Sequence, residues 1–349
     1  MPYINDVLEN NKNKLEESKR KKAGHRMSRF LFEPEHVIEV LSSRIIGQQE
    51  MVQAVGDMLH VVKADFSSPE RPLAVFFFLG STGVGKTETV RILSETILGA
   101  ADQLCRVDMN TLAQEHYAAA LTGAPPGYVG SKENNTLLDK ERIEGSYSRP
   151  GIVLFDEIEK ASKEVIRTLL NVLDSGRLDL SGGTQEIHFR NAMLFMTSNI
   201  GVQALAQYRK KFQTGWRSWL GMKPAKRREK AILNEALQQK FDPEFINRID
   251  RIVFFERLDA SWLEQLLAIE LTKLNKRLSK RQATLALAKS AESFLLSHYD
   301  EQYGARHLLR TLRTQLEPRL ARALHDYADH GDFIAEYQEN HLQVLPIKA

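Results

Sequence analysis

Gly80-Ser81-Thr82-Gly83-Val84-Gly85-Lys86-Thr87 has the spacing G-x-x-x-x-G-K-T. Glycines at these places let a backbone curl. A nest of inward-turned N–H groups then binds phosphate oxygens. Lys86 is expected to meet the β- and γ-phosphates, and the Thr87 hydroxyl to ligate Mg²⁺. Further on, Ile152-Val153-Leu154-Phe155 runs into Asp156-Glu157. Four apolar residues followed by two carboxylates describe a core strand that delivers charge to the ligand-binding end of a sheet. Asp156 is expected to hold Mg²⁺ through water, and Glu157 to orient and polarise an attacking water. The combination predicts nucleotide hydrolysis. Dinucleotide redox chemistry would call for G-x-G-x-x-G instead.

These residues need a scaffold, and the hydropathy pattern supplies one. Leu73–Leu79 is a continuous apolar run, the mark of a strand buried on both faces. A helix is expected from about Lys86 to Leu98, after the glycine loop. Leu104–Met109, Ile152–Phe155, Ala192–Thr197 and Ile252–Phe255 read as further strands, with helical segments between them. That alternation predicts an α/β fold, a parallel five-stranded sheet flanked by helices. Upstream, Glu33-Pro34-Glu35 starts a helix, Ile45-Ile46-Gly47-Gln48 breaks it, and Val52, Val55, Met58 and Leu59 mark the face of a second. Residues Asp259–Leu278, Ser290–His298 and Ala305–Tyr327 read as helices, with short strands at Phe333–Tyr337 and Leu342–Leu345. The expected division is a charged arm over 1–32, a large α/β domain over 33–258 and a smaller, mainly helical α+β domain over 259–349.

The chain has 349 residues, 42% hydrophobic and 27% charged, a globular mix. No run approaches the ~20 apolar residues of a membrane span. The first 30 residues are polar and lack the apolar core of a secretory signal. The single cysteine, Cys105, lies in an apolar stretch and is expected to be a buried thiol in a reducing compartment, the cytoplasm. The net charge of +3 hides an uneven distribution. Residues 1–30 carry eight basic and four acidic groups, and residues 209–230 carry nine and one. The body is therefore mildly acidic, with two basic attachments.

Taken together, these motifs make the chain resemble an AAA+ ATPase of the Clp family, and in particular the second ATPase module of ClpB- and ClpA-type ring unfoldases. The resemblance runs from about Arg44 to Ile347. Its most specific element is Gly123-Ala124-Pro125-Pro126-Gly127-Tyr128-Val129-Gly130. In that family this loop faces the pore of a hexameric ring, and the resemblance implies that Tyr128, helped by Val129, grips a translocating polypeptide. An aromatic face can hold many side chains without reading their sequence. The resemblance also implies that Ile45 and Ile46 pack on adenine. Asn199, in Thr197-Ser198-Asn199, matches sensor 1 and would contact the γ-phosphate or the attacking water. Arg248, in Phe245-Ile246-Asn247-Arg248-Ile249-Asp250, matches the arginine finger that reaches the next subunit's nucleotide. Arg306, in Tyr303-Gly304-Ala305-Arg306, matches sensor 2. Each position also has a local reading: Asn199 as a strand-end cap, the arginines as surface ion pairs.

Several features depart from the family pattern. One ATPase module and a short arm replace the usual two modules, so substrate selection is expected from the arm, an adaptor or the pore. Asn134-Asn135 stands where two glycines are usual, Lys140–Ser148 is longer, and Ser81 replaces a common proline. Leu178–Phe189 reads as a β-hairpin insert. Residues 209–230 hold Trp216, Trp219 and Leu220-Gly221-Met222, a loose analogue of a peptidase-docking tripeptide; contact with another partner and a solvated loop are the other readings. The expected function is an ATP- and Mg²⁺-dependent ring motor, a homo-hexamer, that remodels, unfolds or disaggregates proteins. A nucleic-acid-remodelling ATPase and an ATPase dedicated to one protein complex are the alternatives.

Overall fold

The computed structural model describes residues 28–113, 137–180, 186–213, 224–258, 260–297, 299, 304–339 and 341–347. The chain enters through α1 (Pro34–Arg44) and α2 (Gln49–Lys63). Pro34 starts α1, where its missing N–H costs nothing. Gly47, at φ +71°, breaks the path between the two helices. Then follow β1 (Ala74–Leu79), α3 (Lys86–Leu98), β2 (Cys105–Asp108), α4 (Lys140–Glu144), β3 (Gly151–Asp156) and α5 (Lys163–Ser175). The short strands β4 (Arg177–Asp179) and β5 (Glu186–His188) lead to β6 (Ala192–Ser198), α6 (Val202–Gln213), α7 (Lys226–Lys240), α8 (Pro243–Asn247) and β7 (Arg251–Phe254). Beyond lie α9 (Leu263–Leu278), β8 (Thr284–Leu287), α10 (Lys289–Ser297), α11 (Ala305–Thr311), α12 (Glu317–Asp326), β9 (Asp332–Gln338) and β10 (His341–Pro346).

The main sheet is parallel, in the order β2-β3-β6-β1-β7. Its three central strands are buried at every residue, while the edges β2 and β7 are only partly covered. Alternate residues face opposite layers. Phe76, Phe78, Leu154 and Phe195 pack with residues of α1–α3, whereas Phe77, Phe155, Leu194 and Met196 pack with residues of α5, α7 and α8. Phe76 stacks on Phe195 at 5.2 Å, and Phe77 meets Phe241 edge-on at 5.6 Å. Each fully buried aromatic of this kind stabilises the fold by roughly 1.5–3 kcal/mol. Cys105 is buried in this core, and burial pushes its thiol above the ordinary range.

A second core forms where α9–α12 pack against the mixed sheet β8–β10. The sequence pattern misses β8, a four-residue strand paired in parallel with β9. It also presents Ala305–Tyr327 as one helix, but a π turn at Leu312–Leu316 divides α11 from α12. Pro318 lies just beyond that turn. It has no N–H for the carbonyl four residues back, so the helical ladder cannot continue in register.

The charged arm was expected to reach residue 32, yet Phe30 and Phe32 are buried against α1 and α2. Arg29 bonds Asn191 at 2.7 Å and Asp65 at 2.9 Å, and Lys63 donates to the carbonyls of Phe30 and Phe32. Two phenylalanines bury more apolar surface than the neighbouring charges can keep in water. The arms of the expected hairpin pair as β4 and β5, and its tip lies outside the described residues. Among the described residues, no helix is long and apolar enough to cross a membrane.

Candidate functional site

β1 ends at Leu79 and the chain turns through the glycine loop into α3. Gly80, Gly83 and Gly85 all have positive φ, which no other residue adopts so cheaply. The loop is folded around Lys86. Its Nζ donates to Gly80 O at 2.6 Å, Ser81 O at 2.7 Å and Asn199 Oδ1 at 2.8 Å. The ammonium is therefore buried at the end of β1 and reached by a side chain from the end of β6. Burial pushes its pKa down to about 8, against the pull of Glu159 and Asp156. Ser81 Oγ also accepts from Arg257 at 3.2 Å.

On β3, Asp156 is nearly enclosed. One oxygen accepts the Thr197 hydroxyl of β6 and the other the guanidinium of Arg106, at 2.7 Å. The Thr87 hydroxyl lies 3.3 and 3.4 Å from the two oxygens. Glu157 follows in the left-handed region, at φ 57° and ψ 50°. A non-glycine residue there stores about 1–2 kcal/mol of strain. The Glu157 N–H bonds Thr197 Oγ1 at 3.1 Å, which helps to hold this turn. Glu159 accepts from the Asn199 N–H at 3.2 Å, fixing the backbone of the residue that meets Lys86.

The small domain closes over this edge. Ala305 N donates to Gly83 O at 3.1 Å. Gly304, at φ +57°, has no room for a side chain: a Cβ would lie 3.0 Å from Gly83 O. Lys273 of α9 reaches Glu88 of α3 at 3.3 Å. On the other side, Gln48 exchanges two hydrogen bonds with the Glu256 backbone, at 2.8 and 3.0 Å. This anchors Ile45 and Ile46. The result is a cavity of about 700 Å³, lined among others by Ile45, Ile46, Thr82–Thr87, Asp156, Glu157, Asn199 and Arg306.

Nearly every expected cis residue thus converges on one cavity. Arg248 does not line it. It sits at the end of α8, where its guanidinium pairs with Asp174 of α5. Tyr128, Val129, Trp216 and Trp219 lie outside the described residues. Sequence reasoning missed Arg106, Thr197, Glu159 and Gly304. For Glu159 there was a signal, a third acid just after Asp156-Glu157; the others become visible only when separate strands and domains meet.

A phosphate loop, an Asp-Glu strand end and a polar residue on the adjoining strand, roofed by a helical domain, define a P-loop ATPase of the AAA class. Residues 71–252 match the model of the AAA domain (Cdc48 subfamily), and residues 258–332 that of the C-terminal, D2-small domain of ClpB protein. The chain belongs to the AAA ATPases, within the Clp family. It is 43% identical to an ATP-dependent protease ATP-binding subunit-like protein, AmiB, of Pseudomonas aeruginosa, covering 95% of each. It is 38% identical to the chaperone protein ClpB 1 of Synechococcus elongatus over 86% of this chain and 33% of that one. A Saccharomyces cerevisiae Hsp104:casein complex superposes with a TM-score of 0.75 at 28% identity, over 89% of this chain and 52% of that one. A closed-state reconstruction of Hsp104 with ATPγS and casein gives 0.74 at 29%, over 90% of this chain and 52% of that one. The chain therefore spans a third of ClpB and about half of Hsp104. It is a nucleotide-binding ATPase.

Proposed function

We propose that this chain is a subunit of a homo-oligomeric ring, a hexamer, which spends ATP to remodel protein substrates by drawing polypeptide through its pore. The observation that carries the reading is the direct hydrogen bond between the small domain and the phosphate loop, Ala305 N to Gly83 O. Through this bond a change at the phosphates would reach a second domain directly, as a motor requires. The relatives agree, since the matched Hsp104 structures hold casein.

The site residues take the following roles. The loop 80–85 cradles the phosphates, Lys86 neutralises them, and Ile45 and Ile46 hold the base. Thr87 and Asp156 present hard oxygens within 3.4 Å of each other, a donor set that suits Mg²⁺. When bound, that ion would neutralise phosphate charge. Glu157 polarises the attacking water and Asn199 places it. Arg306 reads the nucleotide in cis, and Arg248 reaches the nucleotide of the neighbouring subunit. Tyr128 and Val129 grip the substrate. We place the protein in the cytoplasm.

The basic stretch 209–230 lends less support to nucleic-acid or peptidase binding than its charge implies. Among its described residues, Arg209 pairs with Glu229, Lys226 with Glu256, Arg228 with Glu235 and Lys230 with Glu50. These cations are largely answered within the chain. An adaptor at 1–30 or 209–230 remains part of the proposal.

The test is Tyr128→Ala. ATP hydrolysis is expected to stay within a few-fold of wild type while unfolding of a tagged fluorescent protein is lost. Tyr128→Phe is expected to keep both, because the ring face makes the contact. Full unfolding by Tyr128→Ala would overturn the threading mechanism.

A further inference from the structure

Arg106 has no place in the roles above, yet it lines the nucleotide cavity. On β2, Cys105 and Val107 face the core, so Arg106 and Asp108 share the open face. Asp108 lies opposite Asp156 in the strand register but is occupied as a cap, accepting from Asn110 N at 3.0 Å. Arg106 therefore reaches across to Asp156. Its guanidinium donates to Oδ2 at 2.7 Å. Among the described residues this is its one ion pair. The partners differ in freedom: the Asp156 side chain is 11% exposed, that of Arg106 52%. With Thr197 on Oδ1 and Arg106 on Oδ2, both oxygens of the Mg²⁺-binding carboxylate are engaged.

We propose that Arg106 is the counter-cation that a divalent metal ion displaces from Asp156, so that Arg106 sets how strongly nucleotide binding depends on metal. The inference rests on the assignment of Asp156 and Thr87 as the metal side of the site. Mg²⁺ keeps a tight octahedral shell and most of its waters. An ion held at Asp156, directly or through one of its waters, would compete with the guanidinium for this carboxylate. A divalent ion and a guanidinium on the same carboxylate also repel one another. Asp156 is held by two strands and the Thr197 hydroxyl, so Arg106 is the partner that moves. Once released, it lies at the wall of a cavity that holds a polyanion. Without metal, Arg106 supplies part of the positive charge at this end of the site. With metal bound, it competes with the ion.

Calorimetric titration of the full chain with a non-hydrolysable ATP analogue tests this, in excess Mg²⁺ and again in excess EDTA. The quantity read is the ratio of the two dissociation constants. In Arg106→Gln this ratio is expected to rise at least about fivefold, through weaker binding in EDTA and tighter binding with Mg²⁺. Arg106→Lys, which keeps the charge, is expected to stay near the wild-type ratio. A purely structural ion pair would weaken both titrations alike, so an unchanged or lower ratio in Arg106→Gln overturns the proposal. Asp156→Asn tests the underlying assignment separately. If its ratio equals that of wild type, the metal does not bind at Asp156 and the reading beneath the proposal fails instead.

Discussion

Two cations at opposite ends of the same sheet are held in opposite ways. Lys86 is buried and donates to three oxygens, two from its own loop and one from the end of β6. Arg248 is 39% exposed at its side chain and pairs with one carboxylate, Asp174, exposed to the same degree. Its backbone, by contrast, is firmly fixed. Arg71 donates to Arg248 O at 2.9 Å and lies 3.5 Å from Asp250. Asp250 in turn accepts from Val75 N at 2.8 Å, on the strand that carries the phosphate loop. Burial raises the Asp250 pKa, while the Val75 N–H and Arg71 pull it down. Lys86 thus has a finished environment within one chain. Arg248 has a fixed root and a loosely held tip, the arrangement expected of a group whose proposed ligand belongs to another subunit.

The comparison breaks first, and most visibly, at the finished site. Lys86→Ala removes the charge that the loop is built around and is expected to abolish measurable nucleotide binding. Glu157→Gln is expected to keep binding while lowering turnover by roughly 10²–10³-fold, the scale on which loss of a water-orienting or charge-stabilising group acts. Binding by calorimetry and phosphate release on the same samples separate the two. Near-wild-type hydrolysis by Glu157→Gln would remove it from the mechanism. The depressed pKa of Lys86, about 8, adds a sign. The free site loses its positive charge as pH rises through that value, so nucleotide affinity is expected to weaken from pH 7 to pH 9.

The next effect belongs to the slack cation. Arg248→Ala is expected to leave nucleotide affinity within about twofold, because Arg248 does not line its own chain's cavity. It is expected to lower the ATPase rate of assembled protein by roughly 10³-fold, the lower end of what arginine fingers contribute. Mixing it with Lys86→Ala chains is expected to restore part of the rate, since each supplies what the other lacks at a shared boundary. Absence of rescue in assemblies shown to contain both chains would count against a finger acting between subunits.

The two regions were also unequally legible in the sequence. The phosphate side was written in local patterns: a glycine spacing, an apolar run ending in Asp156-Glu157, and strands buried on both faces. The contacts that complete it were not. Arg106 reaches Asp156, Thr197 reaches Asp156 and Gly304 touches Gly83 across long stretches of chain, and no local spacing encodes such encounters. β8 was hidden because four half-exposed residues in an alanine-containing stretch resemble a helix start. The π turn was hidden because helix propensity runs unbroken up to Pro318. Phe30 and Phe32 were hidden behind neighbouring charges. For Arg248, sequence resemblance suggested a role but could not show Asp174, which fills the local alternative of an ion pair.

Asp174 gives the smallest effect and the finest test of the comparison. An ion pair this exposed contributes about 0.2–1 kcal/mol, so Asp174→Asn is expected to shift the melting midpoint by no more than a few degrees. In the role proposed for Arg248, the same energy would act against its leaving Asp174 for a neighbour's phosphate. Removing the carboxylate is therefore expected to raise the ATPase rate, by roughly two- to fivefold, where protein concentration limits assembly. At saturating protein the difference is expected to vanish, because contact between subunits then outweighs the local pair. The measurement is the rate per chain over a dilution series, with Asp174→Glu as the charge-preserving control near wild type. A rate that falls towards that of Arg248→Ala at every concentration would mean that Asp174 aims the finger instead of restraining it. Arg248 would then be as finished within one chain as Lys86 is.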